Sequence, residues 1–131
     1  MLPLLVTAAI IRNHEKILIT RRKEHVPYPL LWEFPGGKME KNEDPRECVV
    51  REIKEELDMD IQVEDIFDVV YYRYPERPVM VLAYRCRWSG GEIQDLEVTE
   101  HRWATASELA LFDFLPADIP LIEQLQSKVT G

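Results

Sequence analysis

Between Glu52 and Glu56 the chain reads Glu-Ile-Lys-Glu-Glu, so Glu52, Glu55 and Glu56 stand at i, i+3 and i+4. On a helix that spacing puts three carboxylates on one face. Charges of one sign so close repel unless solvent screens them or cations sit among the oxygens. A solvated acidic face is the plainer of these two arrangements. The other is chemistry, because hard divalent cations choose carboxylate oxygens and carry phosphate groups with them. The upstream residues favour chemistry. Gly36 and Gly37 let the backbone turn sharply and approach a ligand, and the loop after them brings Glu43 to the helix entrance.

The helix that must hold these groups carries its own signals. Val49, Ile53 and Leu57 recur every fourth residue as one apolar stripe, roughly opposite the acidic face. Asp44 suits the N-cap, Pro45 the first helical position, and Glu47 the reciprocal place of a capping box. The pattern predicts a helix from about Pro45 to Leu57.

A glycine, five residues, a glutamate, seven residues and then Arg-Glu-Ile-x-Glu-Glu resembles the Nudix box. Gly37, Glu43, Arg51, Glu52, Ile53, Glu55 and Glu56 occupy its defining places. One position departs from it, since Asp58 stands where the box has a glycine. That glycine ends the helix in a left-handed conformation, which Asp tolerates at about 1 kcal/mol. The resemblance implies an α+β Nudix fold, an α/β/α sandwich with a mixed β-sheet, as a single domain over residues 1–131. It implies hydrolysis of a nucleoside triphosphate to the monophosphate and pyrophosphate. Mg²⁺ or Mn²⁺ would be held by Glu52, Glu55, Glu56 and the Gly36 carbonyl, with Arg51 orienting the glutamates. Glu97, six residues before Trp103, matches a glutamate that reaches the metals in the MutT-like branch; either Glu52 or Glu97 would be the base.

The wording Trp32-Glu33-Phe34-Pro35-Gly36-Gly37-Lys38 is similar to that same branch, in which the phenylalanine lies in the base pocket. Arg22, Phe34, Gly37 and Lys38 are the substrate contacts so implied. Asp118 is read two ways. As a residue, it suits the N-cap of a closing helix; by resemblance, its place reads the base edge. The phrase Pro-Ala-Asp-Ile-Pro-Leu is similar to CTP pyrophosphohydrolases, whereas the 8-oxoguanine enzymes carry asparagine there. Oxidised nucleotides such as 8-oxo-dGTP are therefore the first expected substrate class, and CTP, dCTP or 5-substituted dCTP the alternative. A Nudix-like module that binds without hydrolysing is the rival of another class, although such a module is free to lose a ligand carboxylate and here all three are present.

At 131 residues the chain suits one domain with an ordinary core. Its formal net charge of −8 argues against stable nucleic-acid binding, which rests on Lys and Arg against phosphates. An acidic site still accepts a polyphosphate through bridging metal. Cys48 and Cys86 show no metal-site spacing and read as reduced, mostly buried thiols. No apolar run reaches membrane-spanning length, and the expectation is a soluble cytoplasmic protein.

Other elements follow from pattern. Leu4 to Ile11 and Lys16 to Thr20 read as a hairpin about Asn13-His14-Glu15, followed by an irregular loop from Lys23 to Leu31. Trp32 and Phe34, placed around Glu33, are expected to send their rings to different sides. Ile61 to Tyr74, interrupted at Glu64-Asp65, and Val79 to Trp88 form a second hairpin across Pro75 to Pro78. Tyr71, Tyr72, Tyr74 and Tyr84 read as packing on the sheet. An acidic loop precedes the short strand His101 to Ala104, and His101 has no identifiable partner. Thr105 to Leu109 reads as a short capped helix. Leu121, Ile122, Leu125 and Val129 should face inward from the last helix.

Overall fold

Alternation decides which way the first strand faces. In β1 (Leu4–Asn13), Ala8 and Ile10 enter one buried cluster while Ala9 and Ile11 enter another, as the two-residue strand period requires. A computed structural model describes the backbone of residues 1–130 and the side chains of residues 1–127. The expectation for Val129 lies outside the described side chains.

β2 (Lys16–Arg21) follows β1 through a tight turn in which His14 takes a positive φ of 59°. The two strands pair only at Arg12–Ile17 and Asn13–Lys16 and then part. β4 (Gly36–Lys38) pairs with the start of β1, while β2 pairs with β3 (Trp32–Glu33) and β7 (Glu100–Thr105). On its other edge β1 runs parallel to β6 (Pro78–Gly90), and β5 (Asp60–Arg73) lies antiparallel outside β6. One parallel pair among antiparallel ones makes this seven-stranded sheet mixed.

Helix α1 (Pro45–Leu57) covers one face, burying Cys48, Val49, Ile53 and Leu57. Each such aliphatic side chain contributes about 1.5–3 kcal/mol. Its limits are those expected. Asp44 accepts from the Arg46 amide, and Asp58, at φ 55° and ψ 30°, donates its amide to the Lys54 carbonyl. Glu47 makes no reciprocal bond, so the cap is one-sided. On the opposite face α2 (Ile119–Thr130) packs Leu121, Ile122 and Leu125 against Ile10, Ile17 and Ile19. Helix, mixed sheet and helix give the expected α+β sandwich.

Four expectations need correction. β5 is not broken at Glu64–Asp65: register shifts between Val63 and Asp65, and again between Ile66 and Asp68, absorb the extra residues as bulges while pairing with β6 continues. Trp32 and Phe34 do not diverge. Residues two apart share a face, and both rings join the α2-side cluster, against Phe112 and Phe114 respectively. Tyr71 is not packed but about half exposed. The short helix is a 3₁₀ turn at Ser107–Leu111, with Thr105 and Glu108 exchanging reciprocal hydrogen bonds at its start.

Candidate functional site

The paired glycines are needed for different reasons. At Gly36 a side chain would put its Cβ 2.0 Å from the Thr7 carbonyl oxygen, so only glycine allows β4 to lie against β1. At Gly37 the Cβ would come 2.3 Å from the Glu52 carboxylate. Glycine there leaves the room in which that carboxylate rests on backbone.

Arg51 is the hub of the acidic face. Its Nε and Nη2 donate to both oxygens of Glu43 at 2.7 and 3.0 Å, and its Nη1 donates to Glu52 at 2.9 Å and Glu55 at 3.1 Å. Nη2 also reaches the Lys38 carbonyl at 3.1 Å, while the Lys38 side chain is exposed. The fork fits carboxylates in two-point contact, a geometry that lysine lacks. Arg51, with a further bond from the Glu40 amide, holds the Glu43 carboxyl down at about 2. The same bonds raise the guanidinium above its ordinary value.

The three glutamates are not equivalent. The Glu55 side chain is 48% exposed and that of Glu52 15%. Glu56 is turned inward; burial first, then the charges of Glu33 and Glu52, push its carboxyl well above the usual range, against a backbone bond from Gly36. Its Oε2 is buried without a hydrogen-bond partner among the described residues. The face is thus graded rather than uniformly opposite the apolar stripe. Burial likewise raises Glu52, opposed by Arg51 and reinforced by Glu55 and Glu97. Glu97 arrives from the β6–β7 loop. The amides of Leu96 and Glu97 both donate to the Glu56 carbonyl, at 3.0 and 3.2 Å, and that of Gln94 donates to Leu57 at 2.8 Å. The loop therefore satisfies carbonyls left free at the end of α1. Among the described residues, no three acidic, histidine or cysteine side chains are drawn together as a ligand set. Glu52 and Glu55 are turned toward the positive charge of Arg51.

A second group gathers by the start of α2. Asp118 is buried, and its Oδ2 accepts from the Phe34 amide at 3.0 Å. It does not cap α2: its side chain is spent on the Phe34 amide, in the link between β3 and β4, 84 residues away in sequence. Burial and then the Glu33 charge push its carboxyl up to about 8, with the Phe34 bond and Arg22 opposing. Arg22 pairs with Glu33 at 3.1 Å and also donates to the Pro27 carbonyl at 3.0 and 2.7 Å, so its guanidinium serves this group and not the glutamates on α1. Phe34 is 2% exposed, its ring inside the core beside Phe114. The Tyr74 hydroxyl accepts from the Ala117 amide at 3.1 Å and so supports the turn that carries Asp118.

Glu33 was absent from the expected site, yet it adds to the upward shift of both Glu56 and Asp118. The signal was available. A glutamate between two core aromatic residues in a short strand must face the other side of the sheet, here the side of α1.

These observations can be set beside known proteins. The chain is 35% identical over 123 residues to an 8-oxo-dGTP diphosphatase of Escherichia coli, covering 92% of this chain and 95% of the relative. It is 34% identical over 118 residues to a CTP pyrophosphohydrolase of the same organism, covering 90% and 87%. A solution structure of MutT, a Nudix hydrolase from methicillin-resistant Staphylococcus aureus 252, superposes with a TM-score of 0.77 at 34% identity, covering 97% of this chain and 98% of that one. The NUDIX domain model matches residues 1–125. An arginine-ordered glutamate helix beneath a glycine pair, within this sandwich and across this length of match, places the chain in the Nudix family.

Proposed function

We propose that this protein is a MutT-like pyrophosphohydrolase that cleaves nucleoside triphosphates to nucleoside monophosphate and pyrophosphate. The observation that carries the reading is the buried, unpartnered Oε2 of Glu56 beside Glu52 and Gly36. A buried carboxylate oxygen without a donor costs about 1–3 kcal/mol, and a divalent cation is the partner that suits both the oxygen and the surrounding negative charge. Hydrolases of this family generally need such a metal. Glu52, Glu55, Glu56, Glu97 and the Gly36 carbonyl would hold it, as Mg²⁺ or Mn²⁺. When bound, it supplies electrophilic stabilisation of the phosphate charge.

The chain's own residues do the rest. Water attacks phosphorus, a new P–O bond forms as the anhydride P–O bond breaks, and pyrophosphate leaves. Glu52 is read as the proton acceptor, because its carboxylate is held close against Gly37, where any side chain would collide with it. Arg51 fixes its orientation. The test is the pH dependence of kcat/KM: Glu52→Gln removes the acid limb, whereas Glu97→Gln lowers the plateau and keeps that limb. An acid limb that survives in Glu52→Gln would reassign the base.

Substrate choice rests on Asp118. At neutral pH its carboxyl is mostly protonated, and Oδ2 already accepts from Phe34. Oδ1 then carries a hydrogen to donate. A donor suits a carbonyl edge, such as O6 of an oxidised guanine, better than the amine of cytosine. This supports 8-oxo-dGTP as the preferred class. Likeness to the CTP pyrophosphohydrolase supports cytosine nucleotides as a second reading. Pyrophosphate release from 8-oxo-dGTP, dGTP, dCTP and 5-substituted dCTP, each with Mg²⁺ and Mn²⁺, decides between them.

A further inference from the structure

The β6–β7 loop is anchored both to the end of α1 and to the sheet, where Thr99 donates its amide to the Arg21 carbonyl at 2.8 Å and its Oγ1 to the Arg22 carbonyl at 3.1 Å. Backbone bonds from Gln94, Leu96 and Glu97 tie it to the end of α1. Asp95 ties it to the sheet, because its Oδ1 lies 2.6 Å from Nδ1 of His101 in β7. A carboxylate only accepts, so Nδ1 carries the hydrogen and donates. His101 stands opposite Thr20 of β2, in a strand paired from Lys16 to Arg21, and is thus held by the most continuous part of that sheet half. Its row lies on the α1 side, since Trp103, two residues on, packs with the α1-side cluster. Gly91 opens the loop at φ 77°, where an added Cβ would lie 2.7 Å from the Asp58 carbonyl oxygen, and Val98 closes it as a buried residue. Glu97 lies inside the ring that Asp95 and His101 close, while its own carboxylate makes no ion pair among the described residues. Thr99 fixes the loop to the sheet after Glu97, and Asp95 adds a fixed point on the sheet before it, so that Glu97 is held from both sides.

We propose that Asp95 and His101 form a clamp that positions the Glu97 carboxylate, making His101 a positioning residue for the hydrolysis. The proposal rests on the reading of Glu97 as a carboxylate of the site. Neither member of the clamp touches the glutamates of α1, so it acts on turnover through Glu97 alone.

The test is a double-mutant cycle on the full chain with Mg²⁺, using whichever of 8-oxo-dGTP and dCTP is cleaved faster. His101→Ala is expected to lower kcat roughly 10- to 100-fold, the size of effect seen when groups orienting metal-site ligands are lost, with KM held within about twofold. Asp95→Ala should match it. His101→Asn, whose amide can still donate to Asp95, should recover most of the loss. In a Glu97→Gln background, His101→Ala should have no further effect. Amide exchange gives a readout independent of turnover: Leu96 and Glu97 should exchange faster in His101→Ala while Ile53 keeps its protection. Multiplicative losses in the double mutant, unchanged exchange at Leu96 and Glu97, or loss of protection at Ile53 as well would overturn the clamp. A Glu97→Gln variant with normal kcat would instead overturn the reading of Glu97, and the clamp with it.

Discussion

On the α1 side of the sheet, Arg51 binds Glu43, Glu52 and Glu55 and keeps Glu43 charged down to about pH 2. At the start of α2, Asp118 meets only an amide and is neutral up to about pH 8. Both regions are built from carboxyl groups, and both lie within reach of Glu33. The difference is desolvation against a nearby cation: a guanidinium in contact favours the charged form, and burial without one favours the neutral form. On the proposed function, one region would hold the cation and phosphate, and the other would offer a neutral donor to a base. Two chemistries come from one residue type because their surroundings push the proton affinities apart.

Glu56→Gln should break the comparison most severely. It removes the buried oxygen on which the metal reading rests, and turnover should fall at least about a hundredfold. Circular dichroism should stay native, since a neutral amide is easier to bury than a charge. Near-normal turnover in a metal-titrated assay would sink the assignment. Glu55→Gln is expected to cost turnover as well, with an unchanged fold.

Arg51→Ala comes next. It leaves three carboxylates without their common cation, so kcat should fall roughly 10- to 100-fold, with restoration by Arg51→Lys incomplete because lysine lacks the fork. Acid titration followed by circular dichroism supplies the companion measurement. A carboxyl held low contributes stability that is present above its unfolded value and lost as pH falls through its folded value. Wild type should thus lose the Glu43 contribution as pH falls from the ordinary glutamate range to about 2, and Arg51→Ala should lack most of it at every pH, giving a shallower acid limb.

Asp118→Asn sharpens the other side. A carboxyl whose folded value is raised binds more protons folded than unfolded, so it lowers stability as pH climbs from about 4 to about 8. Asparagine has no such dependence and can still accept from Phe34. The variant should match wild type near pH 4 and exceed its Tm at pH 9. Its preference between 8-oxo-dGTP and dCTP should change at pH 7. Unchanged selectivity would remove Asp118 from base reading.

The smallest effect concerns the C-terminal end of α1. Asp58 sits at φ 55°, and Asp58→Gly should gain no more than about 1 kcal/mol, read as a small rise in Tm with unchanged kcat.

Local signals were legible where the chain itself supplied the partner. The limits of α1, its cap at Asp44 and the left-handed end at Asp58 all follow from neighbouring residues. Arg51 could be read as an organiser because its glutamates lie within eight residues of it. The course of β5 past Glu64 was not legible, since bulges exist only relative to a partner strand. Nor was the partner of His101, which lies across a loop rather than along a strand.

By itself, then, the sequence determined the carboxylate helix, its apolar underside and the glycine pair before it, because spacing along a helix or turn fixes which groups are neighbours. The tertiary structure alone decided which carboxyl groups would be charged. Asp118 read equally well as a helix cap, and only the packing of α2 against Phe34 turned it inward and took its water away. Glu33 became part of both regions only when β3 paired with β2. Proton affinity depends on burial and on charges remote in the chain, and neither exists until the layers have closed.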